Sequence, residues 1–341
     1  MSVPAFSDIA KSSNDLLNKD FYHLTAAALE IKSNTPNNVA FKVNGKSTHE
    51  GATSGALEAK YTDKPSGKSP RKSHSQSQSR SLRLKKLDFQ ISSPFSYGSD
   101  FNFILALIPL HHTAQLLMFY RRSIGLTLTQ SWNTINALDT KIELKDAIAK
   151  GLKAEILGSF LPASQAKGAK LNLHFQQSNF HGRAFFDLLK GPTANVDAVI
   201  GQDGFLAGAS AGYDVQKAAI TNYSAAIGYN ALTYTAAITA SNNLSVFAAS
   251  YYHKVNAQTE AGAKATWDSK SGNQVGLEVA SKFRLDPVSF AKAKINDRGV
   301  AALSYNVLLR PGVTLGLGAS LDTQKLDQAT HKIGASFTFD S

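Results

Sequence analysis

Few residues in this chain stand where side-chain chemistry would need them. No G-x-x-x-x-G-K-[ST] phosphate loop, H-E-x-x-H zinc pair or G-x-S-x-G nucleophile turn occurs. Cysteine is absent, which removes disulfides, thiol nucleophiles and thiolate metal sites together. His111 and His112 are adjacent, so their rings point different ways and do not form a metal site by themselves. The expectation is no enzyme, no cofactor and no metal. What remains is charge, +11 in total, and it is uneven. Residues 68–124 hold nine Lys and Arg against Asp88 and Asp100, which is +7 of the +11. The rest is only mildly basic, which suits small anions better than a nucleic-acid backbone.

The elements that would position such charges have two periods. Residues 1–20 read as one amphipathic helix. Phe6, Ile9, Ser13, Leu16 and Leu17 follow helical spacing, with Asp8, Lys11, Asp15 and Lys19 mostly opposite. This stretch lacks the apolar core of a secretory signal, and its three aspartates argue against a transit peptide. From about residue 25 the period is two. Leu29 and Ile31, then Val39, Phe41 and Val43, then Leu57, Ala59 and Tyr61 alternate with polar partners. Leu126, Leu128, Gln130 and Trp132 share one face, with Thr127, Thr129 and Ser131 on the other. The rhythm continues through Leu171–Phe175, Tyr223–Tyr229, Leu232–Ile238, Val275–Val279 and Val313–Leu321. Turn sequences such as Asn242-Asn243, Ser271-Gly272-Asn273 and Asp297-Arg298-Gly299 separate the segments.

Each segment is about ten residues long, enough for a tilted strand to cross a bilayer. Such a meander must bury its edges, and barrel closure does so. The polar face is mostly Thr, Ser, Asn, Gly and Ala, as a wet lumen would be. Tyr223, Tyr229 and Phe339 lie on the apolar face near strand ends, as an interfacial girdle would. The mean hydropathy of −0.17 does not conflict with a membrane barrel, because only alternate residues face lipid. The expected class is an all-β membrane protein. A soluble β protein that binds nucleic acid through the basic stretch is the contrasting alternative.

Residues 68–124 break the alternation. Arg71–Lys86 is rich in Ser, Gln, Arg and Lys and should be disordered. Phe101–Tyr120 is apolar, but Pro109 and the His pair divide it, so it makes a poor transmembrane helix. Without the segment, Tyr61–Gly67 would become a hairpin turn leading into Leu126–Thr129. Gly67-Lys68-Ser69 can be encoded by a frame containing the common 5′ splice consensus, so the segment reads as translated intron sequence. The organisation expected is therefore a helix over 1–20, first strands over 21–67, the atypical insertion over 68–124, and the rest of a barrel over 125–341.

Both ends of the chain resemble the mitochondrial voltage-dependent anion channel family, the eukaryotic porins of fungal type. The carriers are Leu309-Arg310-Pro311-Gly312-Val313 and Lys332–Phe339, the run Phe283-Arg284-Leu285-Asp286-Pro287 through Lys294-Ile295-Asn296-Asp297 to Tyr305, and Asn14–Tyr22. Phe283 departs from the family signature, where Tyr or His is usual. The resemblance implies a barrel of about 19 strands, a count known for that family, with the N-terminal helix in the lumen. It implies a voltage-gated, weakly anion-selective pore of the mitochondrial outer membrane that passes ATP, ADP, phosphate and small metabolites. The related barrel of the mitochondrial protein-import channel is the nearer alternative. Lys19, Lys46 and Lys60 are implied to be pore or voltage-sensing charges, with Asp15 offsetting Lys19. Gly151-Leu152-Lys153 matches a short motif for nucleotide contact. Lys332, Gly334, Phe337 and Phe339 fit the outer-membrane sorting signal. The implied partners are outer-membrane lipids, the permeant anions, the sorting and assembly machinery and further copies of the chain, with no nucleic acid. Gln130 stands where animal members often carry a lipid-facing Glu linked to hexokinase docking, so docking by that route is not expected.

Overall fold

The computed structural model describes residues 2–63, 125–147, 149–189, 191–272, 274–328 and 330–341. The expectations for Arg71–Lys86, for Phe101–Tyr120 and for His111-His112 lie outside the described residues. Met1–Asp63 and Gly125–Ser341 form one compact unit.

Nineteen strands among the described residues form a single sheet closed on itself. The first ten are β1 (Ala27–Asn34), β2 (Val39–Ser47), β3 (Thr53–Thr62), β4 (Gly125–Asn133), β5 (Leu138–Lys145), β6 (Leu152–Leu161), β7 (Ala166–Gln176), β8 (Phe180–Asp187), β9 (Thr193–Gln202) and β10 (Phe205–Asp214). The others are β11 (Ala219–Asn230), β12 (Tyr234–Ser241), β13 (Val246–Lys254), β14 (Thr259–Asp268), β15 (Val275–Asp286), β16 (Ser289–Asn296), β17 (Val300–Arg310), β18 (Val313–Asp322) and β19 (Lys332–Asp340). Every strand pairs antiparallel with its sequence neighbour. The closing seam, β1 on β19, is parallel, with Ala27 opposite Ala335 and Lys32 opposite Asp340. An odd number of alternating strands requires that one parallel pair.

The turns follow from residues that tolerate a left-handed backbone. Asp203 and Gly204 (φ 51° and 91°) make the two-residue link of β9 to β10, the twist-matched hairpin turn. Asn242 and Asn243 (φ 53° and 58°) open the link from β12 to β13. β3 and β4 pair like any hairpin, from Ala56 opposite Asn133 to Thr62 opposite Thr127, and Asp63 N–H donates to the Leu126 carbonyl at 2.9 Å.

The expected faces are the observed ones. Leu128 and Trp132 are 40 % and 54 % exposed on the outside, as are Ile227, Ile238, Leu277 and Val279. A soluble sandwich does not leave large apolar side chains uncovered on most of its strands, so the outer face is a lipid face. At one rim it carries a chain of aromatic contacts. Phe205 and Tyr229 have ring centroids 4.7 Å apart, Tyr229 and Tyr234 5.8 Å, and Tyr234 and Tyr251 6.3 Å.

The N-terminal segment lies against the opposite, luminal face, and it is not one helix over 1–20. A 3-10 turn covers Phe6–Asp8, and α1 covers only Lys11–Asn18. Ala10 between them leaves helical geometry (φ −99°, ψ 22°). Pro4 has no N–H to donate, and Ala5 is extended. The Val3 carbonyl instead accepts from Gln176 Nε2 at 3.3 Å and lies 3.2 Å from His181 Nδ1, both on the wall. Hydrogen bonds to the barrel replace those that a longer helix would make to itself. The segment leaves α1 through Asp20 at φ 60°, makes a second 3-10 turn at Tyr22–Leu24, and enters β1.

Candidate functional site: the luminal segment and the charged wall

The helical spacing in the sequence does define the docking face. Ile9, Ser13, Leu16 and Leu17 are at most 3 % exposed, whereas Lys11 and Lys19 face the lumen. Val3, Ile9 and Ala10 pack with Val199, Leu206, Ala226 and Ala237 of β9–β12, and Leu16 and Leu17 pack on Ala280 of β15 and on Tyr252. The wall is bare where the segment crosses it. A Cβ added at Gly228 would stand 2.9 Å from Ile9 Cγ2, and one at Gly262 2.9 Å from Leu16 Cδ2. At the far end, Cβ atoms at Gly316 and Gly334 would overlap the Tyr22 ring and the Tyr22 and Thr25 carbonyl oxygens. Glycine on these strands is therefore a clearance for the segment.

Of the predicted charges, Asp15 and Lys19 meet. Lys19 Nζ lies 2.8 Å from Asp15 Oδ2, one helical turn away, and both side chains are open to the lumen. The bonded Asp15 carboxylate holds the Lys19 ammonium above its usual pKa, so it is charged throughout the physiological range. Lys46 and Lys60 are also luminal, on the face opposite Phe41 and Tyr61, but they do not cluster. Lys46 pairs with Ser54 and Lys60 with Ala40, which places them about 20 Å apart along the strands. Neither has an ion-pair partner among the described residues.

Gly151, Leu152 and Lys153 do not act as one group. Gly151 has φ 84°, donates its N–H to Asp146 Oδ1 at 2.7 Å, and has no room for a Cβ against the Gln176 carbonyl. Leu152 shares the outer face with Ile156. Lys153 is luminal and paired with Glu155 at 2.5 Å. In the C-terminal signal the alternation splits the residues. Lys332 and Gly334 face the lumen, and Phe337 and Phe339 face lipid.

Sequence reasoning missed two luminal networks. Glu155 gathers Lys153, Lys141 at 3.4 Å and His174 at 3.7 Å, and Asn172 donates to it at 3.3 Å. Arg183 grips Asp197 through Nε (3.0 and 3.2 Å) and through a terminal nitrogen at 2.9 Å, while its other terminal nitrogen donates to Ser7 Oγ. The available signal was opposite charge on the polar face of neighbouring strands, but the register that pairs them was not readable. These pairs neutralise one part of the wall, whereas Lys46 and Lys60 have no such pair among the described residues. The lumen is thus a wet, net-positive passage with a segment held along one side. Among the described residues no group of three or more His, Asp or Glu could hold a metal ion.

The family model described as "Eukaryotic porin" matches residues 2–85 and 81–334. The chain is 64 % identical over 341 residues to the mitochondrial outer membrane protein porin of Neurospora crassa, with all of both chains covered. It is 35 % identical over 344 residues to the non-selective voltage-gated ion channel 1 of Saccharomyces cerevisiae, again with both chains fully covered. Against the voltage-dependent anion-selective channel of Drosophila melanogaster it is 27 % identical over 343 residues, covering all of both. A closed 19-stranded barrel with a luminal N-terminal segment and a family match over most of its length lead to one conclusion: the chain belongs to the eukaryotic porin family.

Proposed function

We infer that this chain is a voltage-gated, weakly anion-selective diffusion pore of the mitochondrial outer membrane, passing ATP, ADP, phosphate and other small metabolites or ions. The observation that carries the reading is the closed barrel with an apolar outer band and a polar, charged lumen. A wide wet pore strips no hydration shells, so it discriminates by local potential. Lys19, Lys46 and Lys60 raise the anion concentration inside, and Asp15 tempers Lys19. Voltage acts on the same charges. One elementary charge crossing 100 mV changes energy by about 2.3 kcal/mol, so a few moving charges suffice for closure.

The test is a planar bilayer with a salt gradient. Lys19→Glu places two carboxylates one turn apart at an open luminal position. The expected result is a reversal potential shifted toward cation preference. An unchanged potential removes Lys19 from the selectivity determinants. ATP flux through the reconstituted channel tests the permeant class.

Three finer assignments belong to the same reading. Lys332, Gly334, Phe337 and Phe339 serve as the sorting signal read by the outer-membrane assembly machinery. Within Gly151–Lys153, Lys153 is the residue that can meet a nucleotide, because Leu152 faces lipid. Gln130 faces lipid as a neutral residue, so no buried charge is available there for a docking partner.

A further inference from the structure

We propose that Lys292 of β16 is a positioning residue that latches the C-terminal end of the luminal helix to the wall and sets how readily the pore closes, without contributing to its selectivity. This rests on the pore reading above. Lys292 is 3 % exposed, so its charge is not offered to permeant ions. Its ammonium donates to the Asp15 carbonyl at 3.2 Å and the Lys19 carbonyl at 2.7 Å. It lies 3.7 Å from the Asp20 carboxylate and 4.9 Å from the centre of the Phe21 ring. Two luminal neighbours extend the grip. Lys294 donates to the Leu17 carbonyl at 3.1 Å, and Lys264 to Asn14 Oδ1 at 3.4 Å. The Asp15 carbonyl already accepts the Lys19 N–H at 3.1 Å, so Lys292 adds a second donor there, and the C-terminal end of a helix carries the negative end of its dipole, where a cation is the fitting clasp. The two ends of the segment are held differently. Val3–Ala10 combines apolar packing with hydrogen bonds from Gln176, His181 and Arg183, while the exit from α1 is held chiefly by ammonium groups.

Lys292→Met keeps the stem and removes the donors. Recorded in planar bilayers, it is expected to raise the fraction of time in low-conductance states at small voltage by about tenfold, the scale of a lost charge-assisted hydrogen bond. The reversal potential should stay at the wild-type value. Lys292→Arg keeps the charge and the donors and should restore wild-type gating. Wild-type gating in Lys292→Met overturns the inference. So does a reversal potential that moves as it does in Lys19→Glu, or the same excess of closures in Lys292→Arg. A chain that conducts nothing in its wild-type form would instead overturn the pore reading.

A separate observation carries a second proposal. We infer that the codons from Gly67 to Gly125 contain one unspliced intron. Gly67-Lys68-Ser69 accommodates a donor, G then GTAAGT, and Ile124-Gly125 accommodates an acceptor, ATAG then G. Both junctions fall after the first base of a glycine codon, so removal preserves the frame and recreates a glycine. Ser66 then runs through that glycine into Leu126. On the described strands Asp63 already bonds Leu126, which leaves Lys-Pro-Ser-Gly as the link. Pro second and Gly fourth is the preference of a type I turn, the usual core of a four-residue hairpin loop. Peptide mass spectrometry of the barrel purified from mitochondria, with sequencing of its mature transcripts, decides the matter. The expected peptide reads Ser66-Gly-Leu126. Recovery of peptides from within 87–121 in the membrane-inserted protein overturns the proposal.

Discussion

Gly334→Val is expected to yield no closed barrel, even when the chain is refolded in detergent without any cellular machinery. A side chain there would collide with the main-chain oxygens of Tyr22 and Thr25, not with a flexible tip that can turn aside. Its partner across the ladder, Gly318, is equally confined, because an added Cβ would stand 2.6 Å from His23 N and 2.7 Å from Tyr22 N. Tyr22–Thr25 cannot retreat without losing the Ala26 N–H bond to Ser47 of β2 at 2.9 Å and the first bond of the seam, Ala335 N–H to Ala26 at 3.2 Å. If β1 and β19 part, two strand edges open in hydrocarbon, where each unpaired main-chain group costs several kcal/mol. The readout is circular dichroism and channel formation after refolding. Normal refolding combined with failed import in cells would instead confine Gly334 to the sorting signal.

Asp197→Ala is the second large effect, and it should appear as lost stability. Its carboxylate and the Arg183 guanidinium are 8 % and 15 % exposed as side chains, beneath the N-terminal segment. Deleting Asp197 leaves a confined guanidinium without its carboxylate, met only weakly by the Ser7 hydroxyl and by the Phe185 ring 5.2 Å away. The cost expected is about 3 kcal/mol, the low end of the range for a broken buried pair, because the lumen is wet. Denaturant unfolding of the reconstituted barrel measures it. Arg183→Met with Asp197→Leu should recover most of the loss, since the penalty belongs to the unpaired charge. An unchanged midpoint in Asp197→Ala would show that water already solvates both groups.

How much of this was legible beforehand depended on range. Period-two alternation is a local property, so Leu128, Gln130 and Trp132 could be placed on one face from their spacing alone. The docking face of the N-terminal segment was legible for the same reason, since Ile9, Ser13, Leu16 and Leu17 needed only helical periodicity. The helix length was not. Wall donors Gln176 and His181, far along the chain, take the Val3 carbonyl away from helical bonding. The Arg183–Asp197 and Glu155 networks were hidden because they depend on register between strands. Lys292 carried no signal in the sequence. Only the fold brings it against carbonyls of residues 15 and 19. Glycines of the polar face read as small lumen lining, and their second use as clearance appears only once the segment lies across them.

The parallel seam also settles which way the chain's extremities face. Since β1 and β19 run together, Asn34 and Asp340 finish on one side of the bilayer, and Asn34 N–H reaches the Ser341 carbonyl at 3.3 Å. The Val3 carbonyl is held by Gln176 at the end of β7, which finishes on that same side. Epitopes fused at either end would therefore be reached by an antibody or a protease from one compartment only, both together or neither.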